Sequence, residues 1–410
     1  MKFLTSFLFV ATSVHAAVLP GFRIDPIADV PGLATSIAID SKGTIYATNT
    51  SGFLYRVDGG QSTPIASLPT HDGGNGGLLG MSLVDDSTAA VHYTIWSDER
   101  VLDDVISTVD LTTGAETVLH DFVCDIQVRE RGASSEHHGG NPTVGPDGSI
   151  FVGIGEYNDY YLAQKPDWNG GKVFRIDPDG RVTQFARGFR NPFDLAWDPE
   201  LQRIVITDNG PSAGDELHIL REGDNAGWPE TVGRQPQASD TIAPDYVFPV
   251  TVAPTGLLRL ANNANAQLKH GYLLGTFVAR GLYYFPDLSV KPVPDPVPIL
   301  EGLDEFVMDA AQAPNGDIYI IAGRFPPASR VYRLVVPVLG DCDGDGVADF
   351  RDVSALTHEL ADGDPQPTVA AQNGAYRGSW GCDANADSRI DSTDLSVLMR
   401  KITSRRRSVR

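Results

Sequence analysis

The chain has 410 residues, 41% of them hydrophobic, and carries a formal charge of −21. That acidity argues against a nucleic-acid partner, because a polyanion would be repelled. With 42 glycines and 28 prolines many turns and few long helices are expected, and three cysteines are too few for a disulfide-built fold.

At the start, Met1-Lys2 precedes an apolar run from Phe3 to Val10 and then Val14-His15-Ala16-Ala17. One basic residue, a short apolar core and small residues at a cleavage point read as a signal peptide over residues 1–17, cut after Ala16 or Ala17. The run is too short to cross a bilayer, and no later stretch reaches the ~20 apolar residues of a membrane span. The expectation is a secreted or extracytoplasmic protein of the periplasm or cell surface, where disulfides persist.

From Leu33 onward one pattern recurs: a strand, a tight turn containing glycine, and a second strand rich in β-branched and aromatic residues. Ser36-Ile37-Ala38-Ile39-Asp40, Lys42-Gly43 and Thr44-Ile45-Tyr46-Ala47-Thr48 form the first copy. A weaker copy lies at 80–93, and a clear one runs from Pro142 to Gly153 around Asp147-Gly148. Phe193 to Trp197 with Arg203 to Thr207, a weaker copy at 255–278, and Met308 to Ile321 around Asn315-Gly316 complete the series. Six units at spacings of about 43 to 69 residues predict an all-β six-bladed β-propeller over residues 18–336, whose blades bury their faces on one another. A sandwich or a β-helix accounts less well for the regular period. Uneven spacing places insertions on one face, where a site is expected.

Three phrases mark repeat edges: His137-His138-Gly139-Gly140, Gly188-Phe189-Arg190-Asn191-Pro192 and Asp208-Asn209-Gly210-Pro211. Blade stacking alone does not require a histidine, an arginine–asparagine pair and a carbonyl-rich turn there, so these are the candidate site. Further stretches join them in order: Gly74-Asn75-Gly76-Gly77-Leu78-Leu79-Gly80, Gly171 to Gly180, Arg187 to Pro199, Gly214-Asp215-Glu216-Leu217 and Asn225-Ala226-Gly227-Trp228-Pro229. Together, over residues from about 70 to 325, they resemble the soluble glucose and aldose sugar dehydrogenases (the glucose/sorbosone dehydrogenase family) that use pyrroloquinoline quinone (PQQ).

Oxidising a sugar at its anomeric carbon removes a hydroxyl proton while hydride leaves, and a neutral imidazole oriented by an acid suits that proton. The resemblance puts His137 in the base position, Glu156 in the orienting position, and Asn75 where the family usually has a glutamine amide. It puts Arg190 and Asn191 on the quinone oxygens. The backbone carbonyls of Gly210 and Pro211 fall on a calcium ion beside the cofactor, with Asp215 supporting that turn. The residues by themselves also allow a loop histidine, a solvated Glu156, a turn opener at Arg190-Asn191-Pro192 and a plain turn at Asn209-Gly210-Pro211.

The match fails at the cofactor's carboxylates. The family's late-blade lysine aligns with Ala279, beside Arg280, and its two arginines with Phe306 and Met308. Two lost charge-assisted bonds, at roughly 1.5–3 kcal/mol each, weaken binding by about hundreds-fold or more. Arg280, with Arg324 nearby, is the cation expected to stand in. Three functions follow as expectations. The first is an oxidoreductase taking hydride from an aldose or related sugar alcohol to PQQ. The second is a non-redox carbohydrate-binding propeller serving a docked partner. The third is a calcium-dependent sugar lactonase, for which the carboxylate set around a central metal is not evident in the sequence.

After Leu334 the chain changes character, and residues 337–404 form a separate module. Asp341, Asp343, Asp345, Asp349 and Asp352 occupy positions 1, 3, 5, 9 and 12 of an acidic loop. Asp383, Asn385, Asp387, Asp391 and Asp394 repeat the set. This EF-hand loop spacing predicts calcium, because carboxylates crowd together only around a hard cation. No helix precedes either loop. After each, Val353, Leu356 and Leu360, then Leu395, Leu398, Met399 and Ile402, predict a helix with a buried stripe. Duplicated loop–helix units ending in Asp resemble a type I dockerin. The resemblance implies a small α-helical module, folded by calcium, that docks on a cohesin-like protein; a calcium-stapled tail without a partner is the alternative. Cys342 and Cys382 each adjoin a loop's first aspartate and form a candidate disulfide in an exported chain, while Cys124 reads as a buried strand residue. Residues 405–410, with Arg405, Arg406, Arg407 and Arg410, read as a basic tail.

Overall fold

The computed structural model describes residues 17–18, 22–70, 75–98, 101–124, 136–234, 239–261, 268, 271–336, 338–343, 347–361, 380–385, 387 and 389–408. The predicted signal peptide up to residue 16 lies outside them. Each predicted repeat supplies the first two strands of one antiparallel sheet, and there are six such sheets among the described residues.

Blade 1 consists of Ala34–Ile39, Ile45–Asn49, Phe53–Asp58 and Gln61–Ser67. Blade 2 follows as Leu78–Asp85, Thr88–Asp98, Val101–Asp110 and Glu116–Phe122. Thr143–Val144, Ile150–Ile154, Lys172–Ile176 and Val182–Arg187 make blade 3. Blade 4 is Pro192–Asp198, Arg203–Asp208, Glu216–Leu220 and Tyr246–Val247. In blade 5, Pro254–Arg259, Tyr272–Thr276, Leu282–Phe285 and Val297–Glu301 gain a short edge strand, Ala17–Val18. Blade 6 contains Phe306–Gln312, Ile318–Arg324 and Ala328–Val335.

The fourth strand of blade 6 comes from the other end of the chain. Arg23–Val30 pairs antiparallel with Ala328–Val335, Arg23 opposite Val335 and Val30 opposite Ser329. The sequence pattern, counted from Leu33, did not anticipate this strand. The first strands of successive blades pack around a common axis, blade 6 returning to blade 1.

Local chemistry explains the hairpins. Asp40 Oδ1 accepts the amides of Lys42 and Thr44 at 2.9 and 2.8 Å, and Gly43 takes φ +85°, which reverses the chain without a Cβ clash. Between blades the seams are apolar. Leu54, Leu78, Met81 and Val91 fill the one between blades 1 and 2; Phe151, Val173, Leu195 and Ile206 fill that between 3 and 4. Each such side chain contributes roughly 1.5–3 kcal/mol when fully buried.

Two helices follow the propeller, α1 (Phe350–Ala361) and α2 (Ser392–Ser408), with a 3-10 turn at Trp380–Cys382. Leu356, Leu398 and Ile402 are buried together, with Val353, Leu360 and Leu395 partly buried against them. Met399, expected in the same stripe, is instead 37% exposed, since the core is closed by Leu398 and Ile402 on the neighbouring face. The backbone of α2 runs through Ser408, so the basic run starts within a helix rather than after it. Cys342 and Cys382 are disulfide-bonded across a sequence separation of 40 residues, and Cys124 is buried. Closing a loop of that length stabilises by about 4 kcal/mol in the chain-entropy picture. Denaturant melts of the module with and without reductant should therefore differ by about that amount. Among the described residues no helix is long and apolar enough to cross a membrane.

Candidate active site

At one edge of the ring, first strands begin and second strands end. The three phrases meet there, at the seam of blades 3 and 4. Glu156 N donates to Arg190 O at 2.9 Å, Gly139 N to Asn191 Oδ1 at 3.0 Å, and Asn209 N to Asn191 O at 3.1 Å. Histidine, arginine–asparagine and carbonyl-turn segments are thus bonded to one another.

His137 sits in left-handed backbone at φ +59°, and its Nδ1 lies 2.8 Å from Glu156 Oε2. Glu156 is fully buried, and the same oxygen accepts the Asn158 amide at 3.1 Å. A carboxylate only accepts, so Nδ1 carries the imidazole proton and Nε2 keeps its lone pair. Two glycines allow the approach. A Cβ on Gly155 would lie 2.1 Å from His137 O; one on Gly139, at φ +85°, would lie 2.0 Å from Gly153 O. Gly139→Ala should cost about 2–4 kcal/mol in denaturant stability and displace the histidine loop, with activity lost beyond the change in folded fraction.

Arg190 and Asn191 are held by Asp208, which accepts both backbone amides at 2.9 and 2.6 Å. Burial first, then the charge of Glu216, pushes the Asp208 carboxyl up to about 7, against those two amides. Arg190 Nη1 donates to Asn209 O at 2.9 Å and Gly210 O at 3.1 Å. It thereby shares the carbonyl that the resemblance gives to calcium, leaving one lone pair of that oxygen. Gly210 N donates to Asp215 Oδ1 at 2.9 Å, and Asp215 Oδ2 accepts Val252 and Ala253 amides at 2.8 Å each. Asp215 therefore fixes the turn, as expected, while Pro211 is exposed. The Arg190 guanidinium lies 5.9 Å from the Trp228 ring centre.

Some contributors were not singled out from sequence. Behind the histidine loop, Asp104 receives His92 Nε2 at 3.0 Å and His138 Nδ1 at 3.2 Å, while His92 Nδ1 bonds Gly140 O at 2.8 Å. Burial alone would raise Asp104; the His138 and His92 bonds and charges outweigh it and hold the carboxyl below its usual range. Buried Lys172 donates to Leu162 O and Gly170 O at 2.7 and 2.8 Å, tying down the blade 3 insertion that carries Glu156. The doubled histidine was a visible signal for the first group; Asp104 itself had none.

None of the described hydrogen bonds joins the remaining predicted residues to this cluster. Asn75 is exposed in a turn, and Arg280 is exposed at φ +50° with its carbonyl accepting the Leu303 amide at 3.1 Å. Phe306 and Met308 are buried, and Ala279 is partly buried against the blade 4–5 core. In place of a basic cluster the chain has aromatic rings, Phe306 lying 4.4 Å from Phe277 and 5.5 Å from Phe325 between ring centres.

In the C-terminal module, carboxylate oxygens of Asp341, Asp343 and Asp352 lie within 4.8 Å of one another. Asp352 accepts the amides of Asp343 and Asp349 at 3.1 and 2.6 Å; Asp394 accepts those of Asn385 and Asp391 at 3.1 and 2.9 Å. The two loops thus share one geometry. Asp387 N reaches Asp383 Oδ1 at 3.1 Å, and Asp345 lies outside the described residues. Burial, then the neighbouring Asp343 and Asp387 charges, raises Asp352 and Asp394 respectively, as expected of oxygens gathered for a cation.

Fold and bonded edge define a propeller with a histidine-centred site. The chain belongs to the Glucose / Sorbosone dehydrogenase family, whose model matches residues 33–325. The dockerin type I domain model matches residues 339–403. An uncharacterized protein of Synechocystis sp. is 27% identical over 241 residues, 50% of this chain and 58% of that protein. The aldose sugar dehydrogenase YliI of Escherichia coli is 23% identical over 295 residues, 64% of this chain and 78% of the relative. The PQQ-bound form of an aldose sugar dehydrogenase from Streptomyces coelicolor superposes with TM-score 0.64 at 22% identity, covering 78% of this chain and 98% of that one.

Proposed function

We propose that the protein is an exported sugar dehydrogenase in which His137 takes a hydroxyl proton from an aldose or related sugar alcohol. The observation carrying this reading is the 2.8 Å His137–Glu156 bond, built into the same edge as Arg190 and Asn191. With Nδ1 committed to Glu156, Nε2 is the base, and the buried carboxylate stabilises the imidazolium that forms. PQQ, when bound, supplies the two-electron acceptor for the hydride leaving the sugar carbon. Arg190 and Asn191 would hold its quinone oxygens, and the Gly210 and Pro211 carbonyls a calcium ion.

This edge fits such a polar group. Arg190 Nε, Trp228 Nε1 and Glu156 Oε1 are buried without a hydrogen-bond partner, two donors and one acceptor waiting for a ligand. The carboxylate end fits less well, since Ala279, Phe306 and Met308 offer no charge, and Arg280 and Arg324 are exposed. The test mixes apo-protein with PQQ and calcium and follows dye reduction over a panel of sugars, with lactone hydrolysis in parallel. Sugar-dependent reduction supports the reading. A folded protein that neither binds PQQ nor turns over removes it, and lactone opening alone favours the lactonase.

One observation favours a second reading. The Phe277–Phe306–Phe325 group, with Phe325 62% exposed and Phe277 38% exposed, suits the apolar face of a sugar ring, as in a non-redox carbohydrate-binding propeller. Sugar binding without redox turnover would select it. In either case the paired acidic loops bind calcium in this proposal. The dockerin-like module then attaches the propeller to a cohesin-like partner outside the cell.

A further inference from the structure

We propose a second cation site, independent of the His137 edge: Asp194, Asp309 and Asn141 hold one divalent hard cation, of the calcium class, on the propeller axis. A cavity of about 490 Å³ lies there, and every blade lines it, through Ile37, Met81, Asn141, Asp194, Leu257 and Asp309 among others.

The two aspartates are 4% and 6% exposed, and their described bonds come from amides and one hydroxyl. Asp194 Oδ2 accepts Asn141 Nδ2 at 3.0 Å and Leu257 N at 2.6 Å, and Asp309 Oδ2 accepts Ser36 Oγ at 2.7 Å and Ile37 N at 3.0 Å. Those oxygens are saturated. Among the described residues Asp194 Oδ1 accepts Leu195 N alone, and Asp309 Oδ1 Ala310 N alone, each at 2.7 Å, so each keeps a lone pair there. Arg259, which also lines the cavity, is engaged by Asp198 at 2.9 Å and Glu200 at 3.2 Å.

Asn141 is the independent sign of a ligand. It is 3% exposed, and its Oδ1 is buried without a partner. Turning the amide over would forfeit the Nδ2 bond to Asp194. The oxygens lie against bare glycine backbone. A Cβ on Gly80 would sit 1.8 Å from Asn141 Oδ1, and one on Gly256 would sit 2.3 Å from Asp309 Oδ1. Gly256 adjoins Leu257, whose amide holds Asp194 Oδ2, so the two carboxylates meet the same stretch of blade 5.

Burial first, then the Asp309 charge, pushes the Asp194 carboxyl well up, and burial raises Asp309 too. A divalent ion balances two carboxylates. Three hard oxygens completed by water from the cavity suit calcium better than softer metals.

The test counts calcium bound to the full chain, stripped with chelator and then equilibrated by dialysis, in wild type and in Asp194→Asn/Asp309→Asn. The double variant should bind one ion fewer while keeping the ions of the C-terminal loops. Equal counts in a folded variant overturn the site. Should the variant not fold, wild-type crystals grown in calcium decide: an anomalous peak on the axis supports the proposal, and water density alone refutes it. Neither readout involves PQQ or turnover, so the outcome is separable from the dehydrogenase reading.

Discussion

Replacing His137 with alanine lowers sugar-dependent dye reduction by about 10²–10⁴-fold, the range expected for loss of a positioned general base. The described side-chain bond of His137 is the one to Glu156, so truncation removes the base and leaves the blade seams intact. Apo-protein affinity for PQQ should stay nearly unchanged, because Arg190, Asn191 and the Gly210 turn are held by Asp208 and Asp215 rather than by the imidazole. Glu156→Gln provides the companion measurement. An amide can present a donor to Nδ1, so the imidazole loses its fixed tautomer and kcat falls while PQQ affinity holds. Turnover within twofold of wild type in the alanine variant would reassign His137 to loop packing.

Chelating calcium melts α1 and α2 while most of the β signal survives. Loop carboxylates gathered within 4.8 Å repel once the cation leaves. The small core around Leu356, Leu398 and Ile402 is too slight to hold the helices against that repulsion. A site filled at a hundred times its Kd contributes about 2.7 kcal/mol, so two sites outweigh the margin of a module this small. Helical ellipticity should return on adding calcium back, with the disulfide keeping the two loops tethered throughout. Helices that persist in chelator would overturn the metal reading, and simultaneous loss of the β signal would contradict two independent folding units.

The blades were legible because their determinants are local. Alternating β-branched residues and a glycine turn, as at Asp40 to Thr44, specify each hairpin within a dozen residues. Arg23–Val30 has no such signature: its partner strand lies some three hundred residues away, and Pro26 interrupts its pattern. At the site, His137, Arg190 and Asn191 stood out because polar groups at blade edges have no packing role. The roles of Asp104 and Asp208 did not show, since a carboxylate that holds histidines or backbone amides deep in a protein is written with the same letter as one in a surface turn. The aromatic group at Phe277, Phe306 and Phe325 showed in sequence only as absent cations; its cohesion needed the geometry.

Blade 6 is a clasp. It fastens the beginning of the chain to the end of the propeller, and the reaction edge at blades 3 and 4 lies diametrically across the ring from the next turn of that clasp into blade 1. Fraying where the belt is buckled therefore leaves the histidine loop undisturbed until neighbouring seams give way. A tag spliced ahead of Arg23 keeps the buckle shut, whereas one inserted between Arg23 and Val30 opens it.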